Sequence, residues 1–318
     1  MHSPTTREDL DVDETTRRPE PDALSRFGVR VREMMRSDLD RVLELRSVVH
    51  WSADPRAFDL LGGIGGARWA VSEAPDGVLA GMVGAVPLGD IGILCQLAVR
   101  DGYRKAGLGR RLSSWAVTYL RSRGARTVRL YSTREAEGLY RSLGFEPVTP
   151  RTIYRLREAP RDVPTWEEAD GGHVSTLLFG DLPELYGVDR WSYGADRSAL
   201  ILATLKLHPG WGLVSRDRSG RLDGYLVRSA LGPATRVGPF VASSPAVARR
   251  LLASALHASE GTPVEVTVPG PSAHPAHALL KDFGFVGRAD RLRMELSEPS
   301  PPRHPGLVHY GTTPYLAT

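Results

Sequence analysis

The sequence predicts an α/β protein, a mixed α+β sheet laid down twice in tandem with the C-terminal copy degenerate, and three observations predict it. Strand-like and helix-like segments alternate through the first half of the 318 residues. A basic, glycine-rich loop joins a buried strand to an amphipathic helix at Arg104-Lys105-Ala106-Gly107-Leu108-Gly109. A helix ending in Gly-Phe at 135–145 recurs at 275–285, an offset of 140 residues.

The elements of the first half follow in order. VRVRE at 29–33 reads as a strand, and SDLDRVLELRSVV at 37–49 as a helix with Ser37 as its cap and apolar spacing at Leu39, Val42, Leu43 and Leu45. The stretch 68–88 reads as a hairpin turning at Pro75-Asp76-Gly77, and GILCQLAV at 92–99 as a buried strand. After the glycine loop, Leu112, Trp115, Ala116, Tyr119 and Leu120 mark one helix face. TVRLYS at 127–132 is a strand, 135–143 a short helix stopped by Gly144-Phe145, and 146–157 a last strand. In the second half Ala276, Leu279 and Gly284-Phe285 match Ala136, Leu139 and Gly144-Phe145. The helix at 248–255 falls one residue from the register of 109–116, and Ser244-Pro245 is a good start for it. That copy has no glycine-rich loop. The expected organisation is a disordered leader at 1–27, a catalytic domain at 28–157, a proline-bounded linker at 158–165, a degenerate domain at 166–298 and a tail at 299–318, aromatic enough to pack back.

Composition narrows the function. The 41 basic residues are all arginine except Lys105, Lys206 and Lys281, and they alternate with 37 acids in no long stripe. Dispersed charge gives a weak field, so no nucleic-acid partner is expected despite a pI near 9.3. No apolar run approaches a membrane span, no apolar signal region precedes the first strand, and the one cysteine, Cys95, allows no internal disulfide. A cytoplasmic protein, monomer or homodimer, is expected. His274, His277, His304 and His309 lack a metal-ligand pattern, so no metal is expected.

The loop carries the chemistry. A helix start leaves amides unpaired at the positive end of the dipole, which favours an anion. Gly107 and Gly109 let a diphosphate approach the backbone, and Arg104, Lys105, Arg110 and Arg111 surround it with positive charge. Neither G-x-x-x-x-G-K-[ST] nor G-x-G-x-x-G is present, which excludes a P-loop and a dinucleotide fold on pattern. A pyrophosphate site and an ordinary glycine turn both remain open from the hexapeptide alone.

LAVRDGYRKAGLGRRL resembles the signature of the GCN5-related N-acetyltransferases (GNAT), Q/R-x-x-G-x-G/A, with Arg104, Gly107 and Gly109 in register after Leu97-Ala98-Val99. Leu139-Tyr140 before Gly144-Phe145 is similar to the second signature of that family. The C-terminal half, through GYLVR at 224–228, VGPFVA at 237–242, VEVTVP at 264–269 and RLRME at 291–295, is similar to tandem acetyltransferases of the YitH type. The resemblance implies transfer of an acetyl group from acetyl-CoA to a small-molecule amine by direct attack. Residues 104–110, Ala106 and Leu108 among them, would cradle the pyrophosphate; the Val99 amide would hold the thioester carbonyl; Leu97 would touch the pantetheine arm, with Ala98 between them. Thr133, where many relatives carry asparagine, would touch the coenzyme or merely cap a helix.

Tyr140 would protonate the departing thiolate, its alternative being a core aromatic beside Ala136, Leu139 and Leu143. The second copy has Leu280 there, which has no proton to give. Strand alternation groups Leu94, Gln96 and Ala98 on one face and points Cys95 the other way, so Gln96 would line the acceptor pocket or be structural. His50-Trp51 could shape that pocket. The general base stays open between a water chain and an acid such as Asp90. A silent acyl-CoA sensor, a partner-binding module, or an enzyme using a different acyl-CoA are the rival readings.

Overall fold

The computed structural model describes residues 28–51, 54–62, 64–163, 172–230, 233–297 and 308–312; the expected leader at 1–27, the end of the linker, and the tail outside 308–312 lie beyond them. The first half runs β1 (Arg30–Glu33), α1 (Leu39–Val48), α2 (Arg56–Gly62), β2 (Arg68–Glu73), β3 (Leu79–Leu88), β4 (Ile91–Val99), α3 (Leu108–Ser122), β5 (Thr127–Ser132), α4 (Glu137–Arg141) and β6 (Glu146–Leu156). The second runs β7 (His173–Thr176), α5 (Leu182–Tyr193), α6 (Ser198–Leu207), β8 (Gly212–Arg216), β9 (Leu222–Ser229), β10 (Thr235–Ala242), α7 (Pro245–His257), β11 (Val264–Pro269), α8 (Pro275–Asp282), β12 (Val286–Ser297) and β13 (Val308–Gly311). One expected cap moves: a 3-10 turn at Arg36–Asp38 precedes α1, and the buried Asp38, not Ser37, closes it by accepting the Met35 amide at 2.8 Å. Asp38 is held there by Arg32 and Arg41.

All strands join one sheet in the order β1-β2-β3-β4-β5-β12-β6-β11-β10-β9-β8-β7, with β13 on β10. The two halves are mirrored across its centre. Each has one parallel pair, β4 with β5 and β10 with β11, and otherwise pairs antiparallel. Each also hands its last strand to the other: β12 lies between β5 and β6, and β6 lies between β12 and β11. The inner side chains follow that exchange. Met294 of β12 is fully buried among Leu112, Leu130, Tyr140 and Phe145, under α3 and α4. On the opposite face Tyr193, Ala195 and Leu200 of the second half close the core of α1, α2, Ile93 and Cys95.

The repeated Gly-Phe turn has one geometry in both copies. Gly144 and Gly284 have φ of +86° and +81°, where a side chain is strained. The next amide returns across the helix end, Phe145 to the Tyr140 carbonyl at 3.0 Å and Phe285 to the Leu280 carbonyl at 2.9 Å. Tyr140 and Leu280 thus occupy equivalent places.

Candidate active site

β4 and β5 are paired only from Ile91 to Ile93, opposite Thr127 to Arg129, and then diverge. The wedge they open is a cleft of about 670 Å³. Leu97, Ala98 and Val99 form one wall, Leu130 to Thr133 the other, and Arg104, Lys105, Gly107, Gly109 and Arg110 the mouth. Arg100 donates its amide to Ala80 on β3, and amides alternate along a strand, so the Val99 amide faces away from β3 into the wedge. The edge of β4 toward β5 therefore carries backbone groups with no strand to pair them.

The N-terminus of α3 opens onto the same space. Its cap is Gly107 at φ +90°, which supplies no side-chain acceptor, so the first-turn amides stay open. Lys105 also has a positive φ, +60°, which turns the chain sharply into the helix. Arg104 bends back, donating to the Val99 carbonyl at 3.1 Å and pairing with Asp101 at 3.0 Å. Arg110 reaches across to Ser142 at 2.6 Å. The side chains of two loop residues turn inward, Leu108 buried in the core under α3 and Ala106 packed partly against it, which leaves their backbones to the loop.

Tyr140 stands deeper in the cleft. Its ring packs edge-on to Phe145, with centroids 5.7 Å apart, and is 5% exposed. The hydroxyl makes no hydrogen bond to another described residue and is not sealed in protein, so it opens to the cleft. Burial holds its pKa well above the ordinary phenol value, against a smaller opposite pull from Arg291. Arg291 comes from β12, and hence from the second half. Nothing in the spacing of the sequence marks it, because its place depends on which strand β12 lies beside.

The alternation expected along β4 fails at one residue. Gln96 has φ +54°, and the β3 register slips between Met82 and Gly84, so an extra residue is inserted as a bulge. Leu94 consequently packs under α3 while Ala98 packs with α1 and α2, on opposite faces. Cys95 does not point away from Gln96: both side chains lie beside Trp69, whose indole N–H donates to Gln96 Oε1 at 3.0 Å. Gln96 is 2% exposed, and the end of its amide toward Trp69 is structural. Burial pushes the Cys95 thiol up to about 12, which leaves no thiolate at neutral pH. Trp51 lines the cleft with its ring against the Arg46 guanidinium, 5.5 Å away, whereas the neighbouring His50 is exposed.

Asp90 sits in the β3–β4 turn, at the far end of β4, and does not line the cleft. Among the described lining residues the one carboxylate is Glu135. Hydrogen bonds from its own amide and from Thr133 keep its pKa below the usual range, which makes it a weak base. Thr133 lines the cleft and caps the 3-10 turn at Arg134–Ala136, accepting the Ala136 amide at its carbonyl at 3.2 Å.

The corresponding wedge of the second half is shut. β10 and β11 pair from Thr235 to Val237 and then diverge in the same way. Here β13 enters the gap, pairing with Phe240–Ala242 on β10, and the Thr312 amide that follows it donates to the Thr267 carbonyl at 2.8 Å. The start of α7 is closed too, by Ser244, whose hydroxyl accepts the Val247 amide at 3.2 Å.

A mixed sheet whose parallel central pair splays onto an uncapped glycine-rich helix start defines an acyltransferase scaffold, and the chain belongs to the GNAT family in its tandem form. Residues 43–145 match the acetyltransferase (GNAT) family and residues 186–309 match an acetyltransferase (GNAT) domain. The chain is similar to the uncharacterized N-acetyltransferase YitH of Bacillus subtilis (strain 168), 25% identical over 210 residues, spanning 66% of this chain and 71% of YitH. In structure it is similar to a putative acetyltransferase from Pyrococcus horikoshii, with a TM-score of 0.72 and 18% identity over 92% of this chain and 96% of that one. A tandem GNAT protein from the clavulanic acid biosynthesis pathway gives a TM-score of 0.63 at 14% identity, covering 86% of this chain and 100% of that one. Acyl transfer is the chemistry of this family, and no described helix is long and apolar enough to cross a membrane.

Proposed function

We propose that the first half transfers an acetyl group from acetyl-CoA to the amine of a small-molecule acceptor by direct attack, with both substrates held in the β4–β5 wedge. The observation that carries this reading is the continuity of one cleft from the uncapped start of α3, through the unpaired edge of β4, to the open hydroxyl of Tyr140. The pyrophosphate takes the amides of 107–110, assisted by Arg104, Lys105 and Arg110. The pantetheine amides continue the sheet along β4. Val99 is the wall residue nearest the loop and Leu97 lies farther along the strand, next to the bulge. The pantetheine therefore meets Val99 first and the thioester lies by Leu97, the reverse of the order the sequence resemblance implies. Most of the rate gain comes from holding the amine against the thioester carbonyl and from amides aimed at the developing oxyanion. The C–N bond forms, the C–S bond breaks, and Tyr140 gives its proton to the departing thiolate. The amine loses its own proton to solvent.

Substitution at the loop tests the coenzyme assignment. Gly107→Glu should remove measurable acetyl-CoA binding in calorimetry, because it sets a carboxylate at the phosphate position. Gly107→Asn, neutral and tolerant of positive φ, should keep binding within about tenfold and so separates charge from backbone strain. Binding by the glutamate variant would place the coenzyme elsewhere.

A further inference from the structure

On the face of the sheet away from α3 and α4, the exchanged strands gather four arginines around Tyr131: Arg129 on β5, Arg151 on β6, and Arg291 and Arg293 on β12. They share two carboxylates. Glu295 pairs with Arg129 at 2.7 Å and lies 3.6 Å from Arg293. Asp290 is gripped at both oxygens by Arg151 and lies 3.8 Å from Arg291. The four arginine side chains are between 2% and 21% exposed, so water neutralises them poorly. Buried charge is retained in proteins where it is paired, and here four guanidinium groups share Asp290 and Glu295 in contact, with Glu135 of the cleft attracting Arg291 from farther off. Arg129 Nη2 and Arg293 Nε also lack a hydrogen-bond partner among the described residues.

The cluster opens at one point. Arg291 reaches the wall of the cleft between Tyr131 and Tyr140, and its guanidinium makes no hydrogen bond to a described residue, its nearest carboxylate being Asp290 at 3.8 Å. A planar guanidinium, half desolvated and free to bind at its fork, matches a carboxylate in two parallel hydrogen bonds. The adenine and phosphates of the coenzyme lie at the opposite mouth of the cleft in the proposed binding mode, so the anion belongs to the second substrate. Resting on that acetyl-transfer reading, we propose that the acceptor is an amine carrying a carboxylate, of the size of an amino acid. Arg291, supplied by the second half, holds that carboxylate in the cleft of the first half, with Arg293 and Arg129 adding positive potential behind it. The second half thereby selects the substrate for an active site that is not its own.

The test compares amino acids with the amines formed by their decarboxylation, using the full chain, acetyl-CoA and release of the coenzyme thiol. The amino acid of a productive pair should show a kcat/KM at least about tenfold above its amine, as expected for one charged hydrogen-bonded contact. Arg291→Gln should erase that difference by raising the KM for the amino acid alone, leaving the KM for acetyl-CoA in place, and Arg291→Lys should recover part of it. Equal rates on both members of every pair, or preference for phosphoethanolamine over β-alanine, overturn the proposal. So does a variant whose kcat falls alike on both members, which would tie Arg291 to Tyr140 instead. The wild-type comparison stands even if the variant does not fold. Should no amine of either kind be acetylated, the acetyl-transfer reading fails, and calorimetry of the same amino acids with coenzyme A present still decides this one. Heat that vanishes in Arg291→Gln supports it, and absence of heat with the wild type overturns it.

Discussion

A general acid must keep its proton until the leaving group needs it, and a phenol such as Tyr140 does so at neutral pH even before burial raises its pKa further. Its raised pKa keeps it protonated across the working range, while the hydroxyl remains open to the cleft. In the proposed reaction Tyr140→Phe should lower kcat about a hundred- to ten-thousandfold, in the range of a lost general acid, with acetyl-CoA affinity nearly intact. Stopped thiol release at saturating coenzyme reads this directly, and an unchanged kcat would return Tyr140 to a packing role beside Phe145. Tyr140 was legible in the sequence because the local turn fixes it: a residue four before Gly-Phe faces the core in both copies. Arg291 was not legible, since neither its spacing nor its neighbours in sequence say that β12 crosses to the other half. Gln96 was misplaced for a third reason. One positive φ inside a strand shifts every later side chain to the other face, and no residue at 95–97 announces it.

At the scale of elements, the closed second wedge depends on a short strand held by histidines. His309 on β13 accepts a hydrogen bond from the Arg197 guanidinium at 2.8 Å, which requires its Nε2 to be unprotonated. Burial, then the nearby Arg197, His274, Arg129 and Arg293, holds its pKa well below the ordinary value. His274, at the start of α8 and edge-on to Tyr310, is lowered to about 4 by burial and by His277. The unfolded chain protonates both near pH 6.5, whereas the folded chain resists, so the unfolded state binds more protons below that point. Stability is therefore lost as pH falls from about 6.5 toward 4. Thermal melts should show Tm dropping by several degrees over that window. A His274→Asn, His309→Gln double variant keeps the cap and the acceptor without the charge, and its Tm should fall less; equal slopes would show that the strand is not held this way. The aromatic content of the tail foretold its return to the body for 308–312. Its insertion into a specific gap did not follow from sequence, because pairing of so short a strand is decided by what the wedge leaves unpaired.

For the whole molecule, the order of the strands means that neither half is a complete sheet. The duplication was readable as a repeat of helix and turn, and the difference between the copies as the absence of a glycine loop and of the tyrosine from the second. Strand exchange was invisible, since β6 and β12 have the same length and pattern whichever half they serve. Yet it has the largest consequence for dissection. A chain ending at residue 163 would retain every loop and cleft residue except Arg291, but it would lack β12, which pairs β5 over Leu292–Ser297 and buries Met294 under α3. The exposed flank of β5 would be an open strand edge beside an unfilled core, a combination that favours aggregation. Expression of 28–163 alone should therefore give insoluble or poorly folded protein without acetyl-CoA binding. Co-expression with 164–318 should restore a soluble complex, because β12 and β6 can still interleave across the break. A soluble first half that binds the coenzyme unaided would mean that β12 contributes little to the wedge it borders, and the dependence of one half on the strand of the other would be lost.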